Sequence, residues 1–280
     1  MRLRIFTNAY NAMPFIPAQY AWLERLDCDW TWAIAEGPAK PMHCSSWRSS
    51  VPPGRSPDGT ADYLDHLAAH DPRVTVKHQD EWDGIISMNN ACLPDYPCLL
   101  MQMSTDEVWP LTAIEKALKM FDAYPKKTAA SVYCNLYVGP EIKVARQSSF
   151  GNETEDNFKV LWRFEPGMKI LSYEPPLLSG DHNNAFSRQE MWNNGVYFDH
   201  LYFFHEKQVK QKEEYYATSQ VGFARMHVGI VDRWLALQKR DNFPSPINDV
   251  FPWAPWNTIA EKVPRHPFHE YLEQKHPDYD

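Results

Sequence analysis

The 280-residue chain is poor in glycine, with 11 against 23 prolines. That ratio excludes flexible glycine-rich linkers and points to stiff, ordered loops. Cysteine is scarce as well. The five, at positions 28, 44, 92, 98 and 134, form no Cys-x-x-Cys pair, and an odd count without pairs argues against a disulfide framework and for a reduced, cytoplasmic setting. No apolar run approaches the roughly 18 residues that a membrane helix requires. The opening Met-Arg-Leu-Arg-Ile-Phe-Thr-Asn turns polar too early for a signal peptide. An excess of positive charge is also missing: the formal net charge is −8, which excludes bulk electrostatic binding of polyanions, though not a local basic groove.

What the chain has in quantity is aromatic: 11 Trp, 14 Tyr and 14 Phe. Such residues build cores, and they also provide flat faces on which sugars stack. The first half alternates short apolar runs with helical spacing. Strands are predicted over Leu3–Thr7, Trp30–Ala35, Arg73–Lys77, Cys98–Met103 and Ala129–Val138, and helices over Phe15–Leu26, 58–69 and Leu111–Tyr124. This is the βαβ pattern of a parallel α/β sheet, with the loops at 36–60 and 104–109 on one edge. The second half reads differently. Short strands over Lys159–Phe164 and Met168–Tyr173 flank a turn, Val196–Phe204 is strand-like and aromatic, and helices are expected over His205–Ala217 and Gly222–Gln238. Residues 241–280 read as an irregular surface tail rich in proline.

The stretch that draws the chemistry together is Leu99–Trp109, an apolar strand running into Ser104, Thr105 and the adjacent carboxylates Asp106 and Glu107. In open α/β sheets ligands bind outside the carboxyl ends of the strands. Paired carboxylates there can hold a hard cation, although acidic residues before a helix also simply suit its dipole. His200, after the aromatic run, could add an imidazole, with His205 as its rival; either could equally be a core histidine. Glu36-Gly37 ends the second strand and, beside the turn Thr7–Asn11, would form a polar slot. Thr154-Glu155-Asp156 offers a general base, or a helix cap. Glu174 lies on a stiff turn before two prolines. Lys210, Lys212, Arg163 and Arg188 could neutralise a diphosphate, or form solvated faces.

These strand-end positions, in this order, resemble a glycosyltransferase of the GT-A fold, similar to glycosyltransferase family 2 and its relatives, over roughly residues 1–220. The resemblance rests on Thr7-Asn8-Ala9-Tyr10-Asn11, Glu36, Asp58-Gly59-Thr60, the region of Trp82, Gly84, Asn89 and Asn90, and Met101–Glu107, which stands where the family carries its Asp-x-Asp signature. Glu155-Asp156 with Leu161, Arg163 and Gly167, and Phe198-Asp199-His200 with Gln208, Lys212 and Tyr215, resemble later family segments. The departure is Ser104, which replaces the first signature aspartate; the second is kept as Asp106.

The resemblance implies a Rossmann-like, mostly parallel sheet flanked by helices, with a nucleotide-sugar-binding half at 1–140, an acceptor half at 141–220, and a C-terminal helix and tail at 221–280 packed on the same domain. It implies transfer of a sugar from a nucleotide-diphosphate donor such as a UDP-sugar to an acceptor hydroxyl, assisted by Mn²⁺ or Mg²⁺. Asp106, Glu107 and His200 would be metal ligands. Thr7, Ala9, Asn11, Glu36 and Ser104 would contact the nucleotide, and Lys212 the phosphates. Asp156 would be the base of an inverting enzyme, with Glu174 and Asp181 as alternatives. The acceptor would be a saccharide or glycoconjugate, with a modified nucleic-acid base less favoured. A nucleotidyltransferase, or a non-catalytic carbohydrate-binding protein on the same fold, are the rival readings. The lack of glycine in 8–14 weighs against the former, and Ser104 weighs for the latter.

Overall fold

The computed structural model describes residues 1–40, 53–147, 158–173, 175–218, 228–252, 254 and 258–275. Strand and helix alternate through the first half: β1 (Leu3–Ala9), α1 (Phe15–Leu23), β2 (Trp30–Glu36), α2 (Thr60–His70), β3 (Val74–His78), α3 (Ile85–Ala91), β4 (Cys98–Gln102), β5 (Glu107–Val108) and α4 (Leu111–Ala123). Short strands follow: β6 (Ala129–Ser131), β7 (Cys134–Tyr137), β8 (Ile142–Gln147), β9 (Lys159–Phe164), β10 (Ile170–Tyr173), β11 (Pro176–Leu178) and β12 (Ala185–Phe186). The chain continues through α5 (Arg188–Asn193), β13 (Phe198–His200), α6 (Glu206–Thr218), α7 (Ile230–Gln238), β14 (Ser245–Pro246), β15 (Ile259–Lys262) and α8 (Pro267–Lys275).

Two sheets organise most of these elements, and β10 and β11 pair apart as an antiparallel ribbon. The larger runs β12-β6-β9-β4-β1-β2-β3. Within it β4, β1, β2 and β3 are parallel, and β9 lies antiparallel between β4 and β6. Burial follows strand position. β2, Trp-Thr-Trp-Ala-Ile-Ala-Glu, is buried at every residue, whereas β3 at the sheet edge exposes Thr75 and Lys77, as expected for a strand covered on both faces against one at an edge. α4 packs Ala113, Ile114, Ala117, Leu118 and Phe121 into the core under β1, β2 and β4. The predicted parallel α/β half is therefore present, as a mixed α/β structure with a mostly parallel central sheet.

The second sheet, β14-β15-β8-β7-β13-β5, is largely antiparallel. It corrects two expectations. The predicted single strand over Ala129–Val138 is divided: β6 belongs to the large sheet and β7 to the small one, the chain leaving one for the other at Val132-Tyr133. The tail is not irregular throughout, since β15 pairs with β8, and α8 buries Phe268 and Leu272 beside Phe204 and Phe15. Asp106 lies in the turn where the chain passes from β4 of the large sheet to β5 of the small one. Among the described residues no helix is long and apolar enough to cross a membrane.

Candidate functional site

The turn between β4 and β5 is held from several sides. Met103 N–H donates to the Phe6 carbonyl at 3.1 Å, Glu107 N–H to the Ser104 carbonyl at 3.1 Å, and Leu201 N–H to the Asp106 carbonyl at 2.7 Å. From α1, the Gln19 side-chain amide donates to the carbonyls of Ser104 (2.7 Å) and Glu107 (2.8 Å). β5 pairs antiparallel with β13, which sets Glu107 opposite His200. Five separate hydrogen bonds thus fix the turn from Met103 to Glu107, and the Asp106 carboxylate is presented in a set direction.

Around that carboxylate stand three side chains. Lys212 Nζ lies 2.8 Å from Oδ2, His200 Nε2 lies 3.4 Å from Oδ1, and Gln208 Nε2 reaches Oδ2 at 3.5 Å. The lysine also donates to the Tyr202 carbonyl at 2.6 Å and sits 3.7 Å from the centre of the Tyr202 ring. Gln208 and Lys212 are one turn apart on α6, so both face Asp106. Burial pushes the Asp106 carboxyl up, but Lys212 and His200 together outweigh it and hold the group well below the usual carboxylate range. Burial pushes the Lys212 ammonium down against the pull of Asp106.

Glu107 does not join this group. Its carboxylate accepts from the Ser104 N–H at 3.1 Å, closing the turn on itself, and burial raises its pKa. Among the described residues no three His, Cys, Asp or Glu side chains converge to hold a metal. Hard divalent cations favour several oxygen ligands, carboxylates above all. Here one carboxylate is turned away, Ser104 replaces another, and the third is paired to an ammonium. That donor set does not fit a resident ion.

Of the residues expected to contact the nucleotide, Thr7, Ala9 and Glu36 lie at the same sheet edge and are buried, while Asn11 and Ser104 are half-buried. Thr7 is buried; its hydroxyl donates to the Met103 carbonyl at 2.7 Å and accepts from the Trp32 indole at 2.8 Å. Glu36 is fully buried at 0 % exposure, one oxygen accepting from Ser56 N–H and the other paired with His78 Nδ1, each at 2.8 Å. The sharp turn behind it depends on Gly37, whose φ is +125° and where a Cβ would meet the Gln79 carbonyl oxygen at 2.2 Å. The Ala9 carbonyl accepts from Gly37 N–H. Asn11, at φ +50°, donates its N–H to Ser56 Oγ. The next two amides, Ala12 and Met13, donate to Thr60 Oγ1 and Asp58 Oδ2. Asp58-Gly59-Thr60 therefore fastens the loop after β1.

The remaining candidates divide. Asp156 and Glu174 lie outside the described residues. Asp181 is exposed and closes a turn onto the Asn183 N–H. Arg163 donates to the Phe121 and Lys127 carbonyls, Arg188 is buried over the Tyr133 ring, and Lys210 pairs with Glu206. Of the four basic residues, Lys212 alone is placed at Asp106. His205 packs on His269 with ring centres 4.8 Å apart, and burial drives its pKa down to about 3. Gln19 was missed from sequence, although a glutamine one turn after Ile16 on the buried face of α1 was a signal.

No protein-family model matches the chain, and no curated protein matches it. Among solved structures it is similar to TarS of S. aureus. A complex of TarS residues 1–349 with UDP-GlcNAc aligns at 12% identity and a TM-score of 0.36, over 56% of this chain and 38% of that one. TarS 1–349 alone aligns at 12% identity and 0.41, over 84% and 70% of the two chains. A further TarS structure aligns at 10% identity and 0.40, over 85% and 42%. The chain thus spans well under two thirds of the first and third of these proteins.

Proposed function

We propose that the chain is a glycosyltransferase of GT-A type, moving a sugar from a nucleoside-diphosphate donor, a UDP-sugar by the family resemblance, to an acceptor hydroxyl. The observation that carries this reading is Asp106. It is a largely buried carboxylate fixed where β4 leaves the parallel sheet, with Lys212, His200 and Gln208 gathered on it. Ligands bind at that edge in open α/β sheets, and a leaving diphosphate needs positive charge close by. In this reading Ser104, at the mouth of the same turn, faces the sugar or ribose, and the loop Ala9–Asn11 borders the nucleoside. Thr7 and Glu36 shape that border from within. Asp156 takes the proton from the acceptor hydroxyl if configuration inverts, with Glu174 and Asp181 as alternatives. The reading needs no Mn²⁺ or Mg²⁺ at Asp106, whose donor set does not fit one. The aromatic second half supports a saccharide or glycoconjugate acceptor, and Cys28, Cys92, Cys98 and Cys134, all free thiols, support a cytoplasmic location.

A nucleotidyltransferase is less well supported. Three successive amides after β1, which could cradle a triphosphate, are taken by Ser56, Thr60 and Asp58. A non-catalytic carbohydrate-binding protein is favoured by one observation, the buried and fully partnered state of Glu36. The test is release of free nucleotide from a panel of nucleotide sugars, with and without a saccharide acceptor. Turnover of one donor is expected. Binding of saccharide with no binding of any nucleotide sugar would replace the transferase reading with the non-catalytic one.

A further inference from the structure

We infer that Lys212 stands in for the metal: its ammonium is the built-in counter-charge for a donor's diphosphate, and the chain binds a nucleoside diphosphate without a divalent cation. This rests on the donor reading above and specifies how that same site manages charge.

Three features carry it. First, the lysine is enclosed and aimed. Its side chain is 19% exposed and that of Asp106 15%. It is seated on the Tyr202 carbonyl at 2.6 Å and over the Tyr202 and Phe203 rings at 3.7 and 5.4 Å. Lys207 and Lys210 on the same helix are exposed, so among the lysines of α6 the one turned inward is Lys212. Second, Asp106 is the one carboxylate paired with it among the described residues. An ion bound to Asp106 Oδ2 would sit within about 5 Å of the ammonium, in a place where repulsion is poorly screened. Third, the anionic partners that a bridging cation needs are missing. Serine stands at 104, and the Glu107 carboxylate is committed to the Ser104 amide.

An arriving diphosphate reverses the arrangement without a metal. Phosphoryl oxygens offer Lys212 a second anion, while Asp106 keeps His200 Nε2 at 3.4 Å and Gln208 Nε2 at 3.5 Å. Having one carboxylate fewer than the family signature also lowers the repulsion that the diphosphate meets. Lysine is well suited to this as a compact point charge for phosphate.

The experiment uses the unmodified protein, UDP and Mn²⁺. UDP is titrated calorimetrically in Mn²⁺ and in EDTA, and Mn²⁺ binding is read by electron paramagnetic resonance with and without UDP. The expected result is UDP affinity equal within about twofold in the two buffers, with no protein-bound Mn²⁺ signal. Lys212→Met is expected to weaken UDP at least about tenfold, the loss of one charged hydrogen bond, and Lys212→Arg to recover much of it. Stoichiometric Mn²⁺ on the protein, or UDP binding abolished by EDTA, overturns the inference and leaves the donor reading intact. No UDP binding in either buffer overturns both. The wild-type comparison decides the matter even if Lys212→Met, which strands Asp106, fails to fold.

Discussion

Glu36 and Asp106 both stand at carboxyl ends of parallel strands, β2 and β4, on either side of β1, and both read from sequence as ligand-facing acids. The structure gives them opposite lives. Glu36 is completely buried, with one oxygen on a backbone amide and the other on His78, which is fixed in turn by Asp65 at 2.8 Å. Its partners belong to the frame, and a ligand could reach it only by dismantling the loop at 53–60. Asp106 keeps some exposure, and its closest partner is a side-chain ammonium, a point charge that a second anion can share. An acid at a strand end is therefore read better from who holds it than from where it stands. A carboxylate closed off by backbone and a braced imidazole supports, while one paired with an ammonium at a partly open edge can share that charge with a ligand.

That contrast can be broken by substitution. Asp106→Asn keeps shape and removes charge. Donor turnover per folded molecule is expected to fall about 10²- to 10³-fold, the usual scale for losing one electrostatic group at a reacting centre, beyond whatever stability is lost by leaving the Lys212 ammonium without its carboxylate. Glu36→Ala should do the reverse. Leaving His78 Nδ1 and the buried Ser56 amide without their acceptor is expected to cost about 3 kcal/mol of stability in urea unfolding, with nucleotide affinity per folded molecule nearly kept. A Glu36→Ala protein that is stable but fails to bind nucleotide would erase the distinction. Thr7→Val sharpens the same side of the comparison. It removes a hydroxyl lying between the Trp32 indole and the Met103 carbonyl, and about 1–3 kcal/mol of stability should be lost.

A smaller effect should appear with acid, and at one end only. His205 leads into α6, and burial holds its folded pKa near 3, far below the ordinary value of 6.5. The unfolded chain takes up this proton first, so stability falls as pH drops below about 6.5 and the loss continues toward the folded value. The protection of α6 amides, after correction for the pH dependence of intrinsic exchange, is expected to fall between about pH 7 and about pH 5, while amides of α2, near Glu36, keep theirs. An equal loss of protection in both helices would show that the two ends do not open separately.

Much of the frame was legible because β1, β2 and β4 are nearly continuous apolar runs and α4 has clear three- and four-residue spacing. What escaped notice has physical causes. β5 is two residues long, shorter than any periodic window. The passage from β6 to β7 crosses between sheets without a break in apolarity, so one strand was expected where there are two. α8 is polar apart from a few anchors such as Phe268 and Leu272, and it looked like tail. At the site, Asp106, His200 and Lys212 were picked out by order along the chain. The orientation of Glu36 and Glu107 was not readable, because it depends on Ser56, His78 and the Ser104 amide, partners set by tertiary contact.

The most direct measurement is calorimetric titration of UDP into wild type and Asp106→Asn at matched stability. Binding to wild type is expected, with at least about a tenfold change in affinity for the variant, since the charge balance around Lys212 is altered. Identical affinities in two equally folded proteins would contradict it, and would remove Asp106 from the binding site.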